Sequence, residues 1–354
     1  MLIDWHKESQ RELPWKSEKN PYKVWISEIM LQQTRVEQAK SYYLKFIFEF
    51  PTVRELANAS LDRVMRLWQG LGYYSRARNM HTAARQVVQE FGGHFPESMQ
   101  ELSRLKGVGP YTAAAIAAFA FDKPVVALDG NAFRFFSRIF AESCPIDTPA
   151  ARKLFSDLAQ QCLLDTPSSL FNQAVMDFGS LVCTPYPKCD RCPLCHHCVA
   201  CLQNRVMEFP VKKAKKRARD RYFYYLHITQ KDHTFIQQRL EKDIWQKLYQ
   251  FPLIETGTPV EVDELFDLPD WDAIFGKQTP QMTGYSSKYI HRLTHQTLHT
   301  FFISICIEKE SPWLQTHCKK IPSSHIDQFG ISRLMERYLL DKSINRLSLA
   351  HANL

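Results

Sequence analysis

Long apolar runs are missing from this chain of 354 residues, and with them any segment able to cross a bilayer as a helix. Internal repeats and low-complexity tracts are missing too, which sets aside solenoids and disordered scaffolds. The start, MLIDWHKESQ, has no signal-peptide pattern; with Asp4 and Glu8 it reads as an amphipathic helix rather than a transit peptide. A soluble, cytoplasmic, nucleoid-associated protein with no membrane partner is the expectation. Acid is in deficit: 37 Asp and Glu stand against 45 Lys and Arg, a net charge of +8 that suits a polyanionic partner. The ten cysteines do not form a spread disulfide framework, since six of them fall between Cys183 and Cys201. That clustering points to a metal site in a reducing compartment. Strand-like alternation is absent from the first two-thirds of the chain and begins only beyond Arg221.

What is present is organised around Leu105–Asn131, LKGVGPYTAAAIAAFAFDKPVVALDGN. Gly107-Val108-Gly109 predicts a tight turn with positive φ at both glycines, and Pro110 suits the first position of a helix. The helix from Tyr111 to Phe121 is apolar all round and should be buried. Its unpaired N–H groups, including those of the turn, make a phosphate grip. Asp129 follows as a single carboxylate, read either as a helix N-cap or as a chemical group. Asn20-Pro21 starts another helix, Tyr22 to about Thr34, in which Glu28 is flanked by Ile26, Ile29, Met30 and Leu31. Burial among them raises a carboxyl pKa; exposure beside Lys23 or Gln32 leaves it alone.

Further helices are expected at 37–50, 52–58, 60–69, 75–91, 132–140, 150–163 and 168–182, so this region reads as all-α. Gly70-Leu71-Gly72-Tyr73-Tyr74 beside Arg76 and Arg78 sets aromatics next to cations, suited to stacking on bases or to inward packing. Lys212–Arg221, KKAKKRARDR, carries seven basic residues against Asp220 and reads as a linker able to track a phosphate backbone. RYFYYLHIT, HTFIQQRL and SSKYIHRLTHQTLHTFFISICI then read as strands, with helices near 262–275 and 325–340 completing an α+β domain. In the cysteine segment, Cys183-x5-Cys189-x2-Cys192-x5-Cys198 fits iron–sulfur or zinc, with Cys195 and Cys201 available as substitute ligands.

Six blocks in order carry a resemblance: LPW at Leu13, PYKVWISEIMLQQT at Pro21, GLGYYSRARN at Gly70, LKGVGPYT at Leu105, LDGN at Leu128 and FNQAVMDFGSLVC at Phe171. The chain resembles the helix-hairpin-helix, or endonuclease III, superfamily of DNA glycosylases, and within it the MutY-type adenine glycosylases. The resemblance implies a multi-domain fold: an all-α helix-hairpin-helix body with an iron–sulfur loop over residues 1–204, a linker over 205–221, and an α+β Nudix-like C-terminal domain over 222–345. It implies a monofunctional enzyme of base excision repair that removes adenine mispaired with 8-oxoguanine or guanine in double-stranded DNA, as a monomer. Glu28 would protonate adenine and activate water, and Asp129 would stay ionised to stabilise the sugar cation. Tyr111 and Asn131 would orient them. Arg11, Leu13, Trp15, Gln173 and Met176 would form the adenine pocket, and Lys16, a DNA-binding candidate, stands where the family often has arginine after LPW. Gln33, Thr34, Leu71 and Tyr73 would handle the 8-oxoguanine side, with Tyr73 as a wedge, and Gly107, Val108 and Gly109 would hold backbone.

Cys183, Cys189, Cys192 and Cys198 would bind a 4Fe–4S cluster, although the first gap is one residue shorter than the family's. His291, Thr294 and His295 stand where the C-terminal domain reads 8-oxoguanine, with threonine for the family's serine and Leu293 for its phenylalanine. The acidic Nudix box is missing, which argues against pyrophosphatase activity. The lyase lysine is missing as well: Tyr111 occupies its position. Two other readings remain, a thymine glycosylase for G·T mismatches and a non-catalytic, metal-stapled DNA-binding protein.

Overall fold

The computed structural model describes residues 1–9, 12–213 and 218–351, with side chains as far as Lys342. Arg11 of the expected pocket and Lys215, Lys216 and Arg217 of the basic stretch lie outside the described residues. The chain forms two compact units, Met1–Ala59 with Arg78–Ala214, and Ser60–Ala77 with Lys215–Leu354. The segment Ser60–Ala77, which the sequence reading kept with the helical body, therefore groups with the strand-rich half.

Helices run in chain order as α1 (Leu2–Glu8), α2 (Pro21–Leu31), α3 (Val36–Glu49), α4 (Val53–Asn58) and α5 (Leu61–Leu67). Next come α6 (Ser75–Glu90), α7 (Met99–Leu102), α8 (Pro110–Phe121), α9 (Gly130–Ile139), α10 (Pro149–Leu163), α11 (Ser168–Leu181) and α12 (Val199–Leu202). In α2 the Asn20 side chain accepts hydrogen bonds from the N–H groups of Tyr22 and Lys23, at 3.0 and 3.4 Å. The helix stops at Leu31, short of the expected Thr34, because Gln33 takes a left-handed φ of 55°. Helix α8 packs against α2, α7 and α11, its alanines allowing close approach. Residues Thr112 to Phe119 of α8 are all buried, as an all-round apolar helix requires.

The second unit holds a mixed sheet of β1 (Arg219–Gln230), β2 (His233–Gln238), β3 (Tyr249–Gln250), β4 (Leu253–Thr256), β5 (Gln281–Tyr285), β6 (Tyr289–Arg292), β7 (Gln296–Cys306) and β8 (Lys319–Pro322). Strand β1 is central, parallel to β7 from Arg219/Gln296 to Thr229/Cys306 and antiparallel to β2 and β4. Its side chains alternate between two cores, as the period of two requires. Tyr224, Leu226 and Ile228 join Trp271, Ile274 and Phe275 of α13 (Pro269–Phe275). Phe223 and Tyr225 instead join Leu334, Met335 and Tyr338 of α15 (Arg333–His351), which follows α14 (Pro312–His317).

Two expected helices break. The 262–275 stretch is a 3-10 turn to Asp267 followed by α13, since Pro269 takes a helix's first position. The 325–340 helix begins only at Arg333, because the Gly330 carbonyl accepts from the Tyr249 N–H at 2.8 Å and Ile331 bridges to Tyr249.

Candidate active site

The turn before α8 fulfils half of its sequence reading. Gly107 has φ +79°, and a Cβ there would lie 2.7 Å from the Asn79 Cβ, so glycine is required. Gly109 is not left-handed: its φ is −87° and it serves as the helix N-cap, with open space around it. Val108 is 5% exposed and its N–H donates to the Leu105 carbonyl at 3.0 Å, so this residue holds the turn rather than facing out. No side chain caps α8. Its first N–H groups therefore remain available to an anion.

The head of α8 carries Tyr111, whose hydroxyl donates to Glu28 Oε2 at 2.5 Å. Glu28 is 6% exposed. Burial pushes its carboxyl up to about 7; the Tyr111 hydrogen bond opposes this and the Asp129 charge adds to it. Near neutrality Glu28 thus exchanges a proton readily, the property a general acid needs.

Asp129 is the helix N-cap that the sequence allowed. It caps α9, its Oδ1 accepting from the Ala132 N–H at 2.7 Å, while Oδ2 accepts from Asn131 Nδ2 at 2.7 Å. Burial raises its carboxyl above the ordinary range, opposed by these hydrogen bonds and the Arg134 charge. Arg134 escaped the sequence reading, as did Gly179. The Arg134 Nη2 donates to Asn131 Oδ1 at 2.8 Å, and its Nε donates to the Cys183 carbonyl at 2.7 Å. A Cβ on Gly179 would lie 2.6 Å from the Asn131 Cβ, so Asn131 reaches Asp129 only past a glycine. The cation in GNAFRFFSRI, three residues past Asn131 on one helix face, was the available signal.

A cavity of about 240 Å³ opens on Glu28, lined by Leu13, Trp15, Lys16, Thr34, Tyr111, Asn131, Gln173 and Met176 among others. Every expected adenine-pocket residue within the described chain is in that lining. Asp177, unremarked in the sequence although it lies in the FNQAVMDFGSLVC block, lines it too. Its Oδ2 takes the Lys16 ammonium at 2.9 Å and faces His6 Nδ1 at 3.4 Å. A second hollow is lined by Gln33, Gly107, Gly109, Asp129 and Gly130. Tyr111 and Leu31 line both.

The cysteine segment is tied down by Arg138, 2% exposed. Its guanidinium donates to the carbonyls of Thr184 at 2.7 Å, Pro185 at 3.1 Å, Val206 at 3.1 Å and Phe209 at 3.2 Å, and to Cys183 Sγ at 3.4 Å. Cys195 and Cys201 form a disulfide with each other. Cys183, Cys189, Cys192 and Cys198 are the free thiols of the segment. Burial raises the thiols of Cys189, Cys192 and Cys198, that of Cys192 to about 11, and each also feels the charge of its neighbours. Among the described residues no three such side chains converge closely enough for a single metal ion. Cys183 is felt by each of Cys189, Cys192 and Cys198, so the four thiols belong to one cysteine-rich loop.

In the second unit, Leu71 is buried and packs inward, while Tyr73 is 49% exposed with φ 48°. The Tyr73 hydroxyl lies 3.5 Å from Thr294 Oγ1, at hydrogen-bonding distance. Thr294 and His295 are exposed. His291 is half-buried with its ring edge-on to Trp245 at 5.5 Å, and burial, aided by the Arg337 charge, lowers its pKa.

Residues 26–161 match the HhH-GPD superfamily base excision DNA repair protein family, and residues 224–341 match the NUDIX domain family. An adenine DNA glycosylase of Buchnera aphidicola subsp. Baizongia pistaciae is 36% identical, the match covering 88% of this chain and 86% of that protein. One from Rattus norvegicus is 32% identical, with 88% and 70% covered. Among solved structures, a thermostable thymine-DNA glycosylase superposes with a TM-score of 0.54 at 27% identity, covering 57% of this chain and 94% of its own. Identity on this scale, running through both the hairpin body and the sheet, means that the chain belongs to the adenine DNA glycosylase family of base excision repair enzymes.

Proposed function

We propose that the enzyme hydrolyses the N-glycosidic bond of adenine paired with 8-oxoguanine or guanine in duplex DNA, acting as a monomer and leaving the abasic strand uncut. One observation carries this reading: a buried carboxyl near neutrality, Glu28, and a hydrogen-bonded carboxyl, Asp129, lie on the two hollows that share Tyr111. Adenine is a poor leaving group and departs once protonated, and Glu28 in its acid form supplies that proton inside the base cavity. The bond then breaks toward an oxocarbenium ion. Asp129, as the carboxylate its hydrogen-bond donors favour, stabilises that charge from the sugar side. The adenine reaches Glu28 by leaving the base stack. A phenol at 111 forms no imine, so no lyase step follows.

Cys183, Cys189, Cys192 and Cys198 would hold a 4Fe–4S cluster, which when bound cross-links the loop bearing Lys188 and Arg191. Thr294 and His295, with Tyr73 beside them, would read the 8-oxoguanine.

Purified protein incubated with A:8-oxoG, A:G and T:G duplexes, then with alkali, tests the reading. Cleavage of the adenine strands only after alkali is expected, with little borohydride-trapped adduct. Excision of thymine alone, or strand scission without alkali, would overturn it.

A further inference from the structure

The turn from Leu293 to His295 gains little rigidity from its own sequence: Thr294 and His295 are exposed, and a backbone bond from the Leu293 N–H to the Gln296 carbonyl at 2.8 Å closes it. Recognition by such a turn depends on what stands behind it. Here that support is a second loop, Leu240–Leu248, distant in sequence. Trp245 of this loop lies against the ring of His291, and Trp245 and Leu293 pack on the same core of Phe223, Tyr225 and Tyr289.

The supporting loop has an uncommon backbone. Trp245 and Lys247, neither of them glycine, have φ of 57° and 69°. Such conformations persist where surrounding contacts hold them. The holding groups are two buried arginines. Arg239 donates to the Ile244 carbonyl at 3.1 Å and to Asp243 Oδ2 at 2.6 Å, while its own carbonyl accepts from the Lys247 N–H at 2.7 Å. Arg221 grips Asp243 with two nitrogens, at 3.0 and 2.8 Å, and is braced by Glu255 at 2.7 Å. The same Arg221 donates to Gln296 Oε1 at 3.2 Å, at the foot of the Thr294 turn. One guanidinium thus ties the Trp245 loop to the base of the recognition turn, and the Trp245–His291 contact joins them again farther out.

We infer that Trp245, set by Asp243 and the Arg221–Arg239 pair, is a positioning residue for the base opposite adenine: it fixes the turn that brings Thr294 to the hydroxyl of Tyr73. The inference rests on the reading of this turn as the 8-oxoguanine contact. Trp245 belongs to the sheet unit, and Glu28 and Asp129 to the helical unit, so its effect is expected on discrimination and not on bond cleavage.

Single-turnover rates on A:8-oxoG and A:G duplexes, measured on the full chain, provide the test, with thermal unfolding as a control. Trp245→Ala and Asp243→Asn are expected to lower the ratio of the two rates by roughly tenfold, the scale of one lost contact. The A:G rate should be unchanged, and Trp245→Phe should restore the ratio. Thr294→Ala separates the two layers of the argument. If Thr294→Ala lowers the ratio and Trp245→Ala does not, the positioning role is refuted and the reading of the turn stands. If Thr294→Ala leaves the ratio intact, the reading fails and the inference with it. Equal losses on both duplexes, or a lower ratio only in variants that unfold earlier, also overturn it.

Discussion

The two units bury charge in opposite ways. Glu28 of the helical unit has a neutral phenol as its hydrogen-bond partner, and burial lifts its carboxyl to about 7. Asp243 of the sheet unit is also partly buried, which pushes its carboxyl up, yet the Arg221 hydrogen bonds and the Arg239 charge hold it below its ordinary value. A paired charge is fixed and becomes scaffold. A carboxyl buried beside a neutral group stays near the boundary between its two forms, and there the proton can move.

Breaking the comparison at Glu28 should have the largest effect. Glu28→Gln is expected to slow adenine release by about a hundred- to ten-thousand-fold in single-turnover assays. Because the folded carboxyl is raised, its acid form prevails below about 7 and is lost above. The wild-type rate should therefore decline as pH rises through about 7, and residual activity in Glu28→Gln should lack that limb. Asp129→Asn should cost about a hundred- to a thousand-fold while duplex binding survives, which gel-shift titration would check.

The scaffold side is sharpened by Arg221→Met. Removing Arg221 takes the arginine from Glu255 and leaves Asp243 to Arg239 alone, and urea unfolding should show a loss of up to about 3 kcal/mol. Glu28→Gln breaks no ion pair and should stay within about 1 kcal/mol of the parent. The smallest effect belongs to Cys195→Ser: bound iron should be unchanged, because Cys195 pairs with Cys201 rather than with the four free thiols. Cys198→Ser, by contrast, should lose iron.

Local features were legible in the sequence. The hairpin, the proline at the head of α8, the cap at Asp129 and the cysteine spacing all depend on residues close in the chain. Strand β1 was equally plain from its aromatic and β-branched content, although its near-continuous apolar run does not tell which side chain meets which core. Features closed over distance were not legible. The Lys16–Asp177 pair spans 161 positions, and the Arg134 bond to the Cys183 carbonyl spans 49. The grouping of Ser60–Ala77 with the sheet is of the same kind: the Tyr74 hydroxyl donates to the Ile331 carbonyl at 3.4 Å, 257 positions away. Helical periodicity over 325–340 was overridden by a single backbone demand at Gly330, which no side-chain pattern encodes. The second positive φ expected of the hairpin did not form, since Gly109 is the N-cap of α8 and its φ of −87° is one any residue adopts.

Tyr111 and Leu31 line both hollows, so on the proposed reading the base cavity and the sugar side share these two side chains. Tyr111 stands at the head of an alanine-rich helix packed on several sides, with no slack to absorb a shift. Selection for a different base would on this reading act most freely at Lys16, Gln173 and Asp177, which line the base cavity and not the second hollow. A change at the head of α8 would alter leaving-group choice and catalytic power in one stroke. Preference and rate are heritable together on one face of the cavity and separately on the other, which marks where a directed library should be aimed.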